Sequence, residues 1–343
     1  MSQVLKPLPE GFTRESVRVA TENFWAKRPI ALDELPMVDD VRQRAREIRL
    51  EALRHLDTYL VQATENLRRR GTQVHFAGDD AEANQIILQI CQEAGARRIV
   101  KGKSMATEEI HLNHTLEEAG IETVETDLGE YIIQIAGEMP SHIIAPAIHK
   151  SREEIKALFE GVAGEELSAE TSALCAFARR HLREKFLTAD VGITGGNFVV
   201  AETGTVAIVT NEGNGRMCSS VPRVHIAVVG IEKLVPNLAD LGPLLAVLPR
   251  SATGQRLTVY VHMMSGPRQV DELDGPEEMH VVFLDNGRTK LLGGEFEEVL
   301  ACIRCGACLD TCPVYRQTGG HEYGSPYSGP IGAVLSPLLW GME

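Results

Sequence analysis

The sequence predicts an α/β protein: a mostly parallel sheet covered by helices, with a helical arm before it and a cysteine-bearing module after it. Three observations predict this. Strand-like and helix-like segments alternate from residue 71 onward. Ahead of them, apolar residues at steps of three and four mark helix. Near the end, Cys302, Cys305, Cys308 and Cys312 fall within eleven residues. The 343 residues, 43% of them hydrophobic, suffice for about two domains.

Residues 1–36 read as a Pro-punctuated lead-in with one short helical stretch. Val41, Ala45, Ile48, Ala52, Leu56, Leu60, Ala63 and Leu67 then form one stripe, which predicts a single long helix over 39–70. Arg68-Arg69-Arg70-Gly71 reads as its end, because cations suit a helix C-terminus and glycine suits the residue beyond it. TQVHFA (72–77) is a strand, Asp79 with Glu82 opens a helix through Ala94, and RRIVKG is the second strand. A helix through Glu118 and the strand IETVET follow. YIIQIA and HIIAP read as short strand or turn elements, and Ser151 with Glu154 caps another helix. Residues 167–188 form a helix that places Cys175 among Ala, Leu and Phe as a buried, inert thiol.

The second half is richer in strands and tight Gly/Asn turns: NFVVAETG, TVAIVTNEGNG, VHIAVVG, RLTVYVHMM and HVVFLDN, with a helix at 236–247. EFEEVLA introduces the tail. The resulting division is a helical region 1–70, an α/β domain 71–294 and a module 295–343.

Charge and composition exclude several functions. With 34 Lys+Arg against 48 Asp+Glu, the net charge of −14 argues against a nucleic-acid partner, which needs cations at the phosphates. No run approaches the length of a spanning helix and the start carries no apolar signal region, so the expectation is a soluble, cytoplasmic chain that is not an integral membrane protein. The odd count of 7 cysteines fits a reducing compartment.

Cys302-Ile-Arg-Cys305-Gly-Ala-Cys308-Leu-Asp-Thr-Cys312-Pro313 is the C-x2-C-x2-C-x3-C-P run of bacterial ferredoxins and predicts a 4Fe-4S cluster. Zinc usually takes two separated C-x2-C pairs, so it fits less well. In the two-cluster arrangement the first three cysteines hold one cluster and the fourth serves the other. Cys302, Cys305 and Cys308 then need a remote fourth ligand, and Cys312 needs three companions; no second C-x2-C-x2-C occurs in the sequence. Electron transfer is the expected role, with a purely structural cluster as the alternative.

The α/β region offers no self-evident catalytic centre. Gly102-Lys103-Ser104 resembles the end of a P-loop, but Arg97 stands where its first glycine belongs. Lys103 and Ser104 at a helix start remain able to meet an anion. His111 and His114 beside Glu108 have helical metal-binding spacing with nothing nearby to complete a site. The densest polar segments end apolar strands, where open α/β sheets bind ligands. There Asn197 offers hydrogen bonds, Glu202 and Glu212 could orient or deprotonate a substrate, and Arg216 could hold a carboxylate. Alternatively these segments only shape turns. Asp285-Asn-Gly-Arg288 is similar, and its Asn-Gly step also suits a hairpin.

Taken together, Lys101-Gly-Lys-Ser-Met105, Glu125-Thr-Asp-Leu-Gly-Glu-Tyr131, Pro140-Ser-His142, Ile193-Thr-Gly-Gly-Asn197, Ala201-Glu-Thr-Gly204, Thr210-Asn-Glu-Gly-Asn-Gly-Arg216, Leu284-Asp-Asn-Gly-Arg288, the cysteine run through Tyr315, and Gly319-Gly-His321 carry a resemblance. The chain resembles the iron–sulfur members of the LUD-domain family of lactate-utilisation proteins over essentially its whole length. The resemblance implies an α/β fold related to sugar isomerases and CoA transferases, followed by a ferredoxin-like module. It also implies a three-protein system that oxidises L-lactate to pyruvate, with a cysteine-rich iron–sulfur subunit and a LUD-only subunit as partners. Family members look longer and carry a second cysteine motif. The chain therefore resembles a product truncated before it, and the missing segment is expected to supply the remaining cluster ligands.

Overall fold

The computed structural model describes residues 14–341. Helices α1 (Arg14–Asp33), α2 (Val38–Arg54) and α3 (Leu56–Arg69) come first. Next are β1 (Gln73–Ala77), α4 (Asp80–Glu93), β2 (Arg98–Lys101), α5 (Met105–Glu109), α6 (Leu112–Glu118), β3 (Glu122–Glu125) and α7 (Leu128–Ala136). Helices α8 (Arg152–Ala163) and α9 (Thr171–Thr188) lead into β4 (Val191–Thr194), β5 (Phe198–Val200), β6 (Thr205–Thr210), α10 (Asn214–Ser220), β7 (Val224–Gly230) and β8 (Leu234–Val235). Then come α11 (Leu238–Thr253), β9 (Tyr260–Met264) and β10 (Glu278–Leu284), and the tail carries α12 (Ala307–Thr311), α13 (Tyr315–Thr318) and α14 (Gly329–Trp340).

Six strands pair in parallel in the order β1-β10-β7-β4-β2-β3. The apolar runs of the inner strands are buried on both faces, as a helix-covered parallel sheet requires, while the edge strand β1 leaves Phe76 exposed. Along β7, Val224, Ile226 and Val228 face α4 and α6 through Ile87, Ile90, Leu112 and Leu116. The alternate residues Ala227 and Val229 face α3 and a second sheet through Leu67, Val199 and Val206. That second sheet, in the order β8-β5-β6-β9, has its other side covered by Ala45 and Ile48 of α2 and Leu241, Leu244 and Leu248 of α11. Helices α7, α8 and α9 close the β3 edge around Val100, Val124, Phe159 and Phe177. No described helix is long and apolar enough to cross a membrane.

Several elements differ from the sequence expectations. Of the lead-in, residues 1–13 lie outside the described residues, and Arg14–Asp33 is a 20-residue helix that runs through Pro29, because α1 packs along α11, α12 and α13 and Arg250 donates from Nε to the Ala31 carbonyl at 3.0 Å. The long helix is two: His55, at φ −120° and ψ 35°, breaks it between α2 and α3 without disturbing the stripe. YIIQIA lies in helix α7. Asp127 caps it by accepting from Gly129 N at 3.0 Å and Glu130 N at 3.2 Å, and Gly137 ends it at φ 66°. The helix through Glu118 breaks at His111, φ 51°, so His111 and His114 do not share one regular helix. Cys175 is exposed, on the outer side of α9. Asn286-Gly287 turns a parallel strand into a 3-10 helix (Thr289–Leu291), with no hairpin partner. The expected Ser151–Glu154 capping box is present in full.

Candidate functional site

Every parallel strand points its carboxyl end the same way, and the ends of β2, β4 and β7 open on one cavity of about 300 Å³. Its walls come from the turns after those strands (Gly102–Ala106, Thr194–Asn197, Gly230–Lys233), from Arg288 after β10, from Thr210–Gly215 and from α11. Ile303, Arg304 and Tyr327 of the tail close it. Close approach needs glycine here: a Cβ on Gly195 would sit 2.7 Å from Ser104 Oγ, and one on Gly230 would sit 2.1 Å from Glu232 Oε2.

Beneath the cavity lies a buried charge network. Arg288 donates from Nε to Glu232 Oε2 at 2.6 Å and from Nη1 and Nη2 to the two oxygens of Glu109 at 2.8 Å. Tyr327 Oη adds a third bond to Glu109 at 2.6 Å. Burial opposes the charge on Glu232, but Arg288, Lys233, Arg304 and Arg49 outweigh it and hold its pKa down at about 2. Conversely, burial pulls Lys233 down to about 7 despite Glu232 beside it. On the β2 side, Lys101 Nζ is buried between Glu108 and Glu125, each at 2.7 Å. Lys101 is thereby committed to the fold. Lys103 reaches the cavity instead, with Glu130 3.4 Å away.

The cysteine loop folds directly over this network. Arg304 (φ 58°) and Gly306 (φ 74°) both adopt left-handed backbone, which bends the loop tightly between thiols. Backbone N–H groups approach the sulfurs, Arg304 N to Cys302 Sγ at 3.4 Å and Tyr315 N to Cys312 Sγ at 3.5 Å. Burial works against the Cys302 thiolate, yet the Arg304 guanidinium and amide hold its pKa below the ordinary thiol value. Burial pushes Cys305 up to about 11. Four half-buried soft donors on one tight loop, with amides aimed at sulfur, fit an iron–sulfur cluster.

The family model for the LUD domain matches residues 60–284. The chain belongs to the LUD-domain family. A second model, for the 4Fe-4S dicluster domain, matches residues 298–341, so the LUD domain is followed by a 4Fe-4S module. Among curated relatives, the "Uncharacterized electron transport protein YkgF" of Escherichia coli (strain K12) is 48% identical over 342 residues, covering 100% of this chain and 72% of the relative. "Lactate utilization protein B" of Shouchella clausii (strain KSM-K16) is 50% identical over 342 residues, covering 99% and 72%. The protein of that name from Bacillus cytotoxicus is 49% identical over 336 residues, covering 98% and 71%. A crystal structure of a DUF162 family protein from Deinococcus radiodurans aligns at TM-score 0.36 and 14% identity, covering 67% of this chain and 98% of that one.

Of the residues singled out in the LUD domain, Asn197, Glu212, Lys103 and Ser104 line the cavity. Asn197 Oδ1 accepts from Val209 N at 2.8 Å, which pins the β4–β5 turn to β6. Loss of water around the Glu212 carboxylate and the nearby Asp127 push its pKa up to about 7. Ser104 caps α5 by accepting from Thr107 N. Glu202 and Arg216 lie outside the lining: Glu202 accepts from Leu238 N at 3.1 Å at the start of α11, and Arg216 is exposed on α10. Sequence reasoning missed Asp127, Glu232, Lys233 and Arg304. The available signal was position, since Glu232 and Lys233 come just after the glycine that ends β7, a fully buried seven-residue strand at the centre of the sheet. Cys91 and Cys218 are core thiols, each pushed up to about 12 by burial. Glu138, His149 and His321 also converge, but Lys150 already neutralises the Glu138 carboxylate.

Proposed function

We propose that this chain is the iron–sulfur electron-transfer subunit of a multiprotein complex that oxidises L-lactate to pyruvate. The observation that carries it is the ferredoxin-type cysteine run folded over the strand-end cavity of a LUD domain, in a chain 48% to 50% identical to the electron transport protein YkgF and to lactate utilization protein B. Cys302, Cys305 and Cys308 hold one 4Fe-4S cluster, and Cys312 belongs to a second. Such clusters supply one-electron carriage. The chain's own residues shape their surroundings: Arg304 holds the Cys302 thiolate, and Gly306 lets the loop pass close to Ile144 and His142. A cysteine-rich iron–sulfur protein and a LUD-only protein are the proposed partners, and the cytoplasm is the proposed location.

Anaerobic purification with iron and sulfide assay, followed by electron paramagnetic resonance after dithionite reduction, tests the cluster. Cys305→Ser should lower iron content by about one cluster's share. Co-purification with the two partner subunits should give lactate-dependent dye reduction that the same variant abolishes. A complex that reduces dye from lactate equally well with Cys305→Ser would refute the relay.

A further inference from the structure

Away from the cavity, the tail and the LUD domain bring three metal-type donors to one place. Glu138 follows α7, His149 lies just before α8, and His321 comes from the tail beyond α13. One donor atom from each lies within 4.8 Å of the others. The approach is built into the backbone. Gly320 packs so tightly on the α7–α8 connection that a Cβ there would sit 1.9 Å from the Ser141 carbonyl oxygen. Its N–H donates to Ser141 Oγ at 3.1 Å. His321 Nε2 then donates to the Met139 carbonyl at 2.7 Å, which leaves the lone pair of the neutral ring on Nδ1. That Nδ1 is buried and has no hydrogen-bond partner among the described residues. A metal-binding imidazole is held in this way, with one nitrogen anchored on a backbone carbonyl and the other presented.

We propose that Glu138, His149 and His321 bind a divalent transition-metal ion of the zinc type, and that the ion clamps the cysteine module to the LUD domain. Two imidazoles and one carboxylate suit such an ion, whereas magnesium and calcium prefer oxygen ligands throughout. Ligands about 2.0–2.2 Å from zinc stand about 3.4 Å apart at the tetrahedral angle. No pair of donors therefore has to close by more than about 1.4 Å. His149 Nε2 and Glu138 Oε2 face each other at 2.7 Å across a hydrogen bond. The ion takes the place of that hydrogen, which the ring then carries on Nδ1. Burial, helped by His321 and Lys150, holds the His149 pKa below its ordinary value despite Glu138, so the imidazole is neutral and able to ligate. Lys150 sits on the other carboxylate oxygen, Oε1, where its charge weakens the site without filling it. Three protein ligands leave the fourth position to water, which reaches it because Glu138 and His321 are only half-buried. The clamp is separate from the iron–sulfur relay and goes beyond it.

Titration of the full chain with Co2+ and Zn2+ tests it. Two preparations keep the tail cysteines out of the measurement. One is the unmodified chain, in which a thiolate charge-transfer band marks any cobalt held by sulfur. The other carries Cys302→Ser, Cys305→Ser, Cys308→Ser and Cys312→Ser together. Each should take up one equivalent of cobalt with the ligand-field bands of nitrogen and oxygen donors, over and above any sulfur-bound ion. His321→Ala should weaken zinc by more than about a hundredfold, since even the outer partners of a metal ligand are worth about tenfold to a hundredfold. Lys150→Met, which removes the opposing charge, should tighten it; two variants of opposite sign exclude a general loss of folding. His114→Ala, an exposed histidine with Glu118 3.3 Å away, is the control and should change nothing. Zinc should also slow hydrogen–deuterium exchange at residues 319–324, an effect that His321→Ala removes. No equivalent bound outside the cysteines, affinity unchanged in His321→Ala or in Lys150→Met, or an equal loss in His114→Ala would overturn the proposal. So would zinc binding that leaves exchange at 319–324 unaltered.

Discussion

Arg288 and His225 illustrate two ways of burying an ionisable side chain. Arg288 stays charged because Glu109 and Glu232 grip it from two sides, so its pKa is raised and the three charges stand or fall together. Removing one partner strands the other, and Glu109→Gln should lower stability by about 3–5 kcal/mol in chemical unfolding. His225 stays neutral: burial, then His262 and His280, lower its pKa to about 3, while Thr194 Oγ1 shares a 2.8 Å hydrogen bond with its Nε2. The unfolded chain takes up this proton near the ordinary value of 6.5, so the folded state binds fewer protons in between. The contribution is complete above pH 6.5 and is lost as pH falls, by about 3 kcal/mol at pH 4 at about 1.4 kcal/mol per pH unit. Urea midpoints measured from pH 7 to 4 should fall steeply, and His225→Gln should flatten that slope by about one proton. A slope unchanged by the substitution would place the acid sensitivity elsewhere.

At the level of elements, local chemistry and tertiary packing divide what a sequence reveals. The alternation of strand and helix from β1 to β3 was readable because each apolar run is short and α4 opens on its own cap, Asp79, as α8 further on opens on Ser151. Helix α7 was not, because its Tyr-Ile-Ile run has strand-like composition and the deciding residues, Asp127 and Gly137, lie outside it. The break at His55 left no trace, since no Gly or Pro marks it and buried residues keep their spacing across it. Contacts between elements are equally hidden. Gly192 in β4 looks like an ordinary strand weakness, yet a Cβ there would sit 1.7 Å from the Cys218 carbonyl oxygen of α10. Gly192→Ala should therefore push α10 off the sheet and lower the thermal midpoint, with a cost of about 3 kcal/mol or more. Gly242→Ala in α11, where a Cβ meets nothing within 4 Å, is the control and should leave the midpoint unchanged or slightly raised.

Across the whole molecule, the cysteine loop and the LUD domain are held together by a side chain from neither. Arg49 of α2 is buried and donates to the carbonyls of Leu234 at 2.7 Å and Leu300 at 3.1 Å, and also to that of Glu232. One guanidinium thus ties the β7–β8 turn of the cavity floor to the 3-10 helix (Glu297–Ala301) that leads into Cys302. The helical arm was legible as a helix, but its stripe of Val, Ala, Ile and Leu carries no sign that the arginine beside Ile48 is the joint. The cavity was half legible for the same reason. Turns at strand ends pointed to Asn197 and Glu212, whereas Arg304 comes from a separate loop near the end of the chain whose cysteines already explained it. If Arg49 is the joint, Arg49→Met leaves three carbonyls without their donor and loosens the tail specifically. Hydrogen–deuterium exchange should then quicken across residues 297–311, while the amides of β7 and β10 stay protected. Uniform acceleration over both sheets would mean that Arg49 stabilises the fold at large, and that the tail keeps its place over the cavity through its other bonds, such as Tyr315 Oη to the Ser141 carbonyl at 2.8 Å and Tyr327 Oη to Glu109 at 2.6 Å.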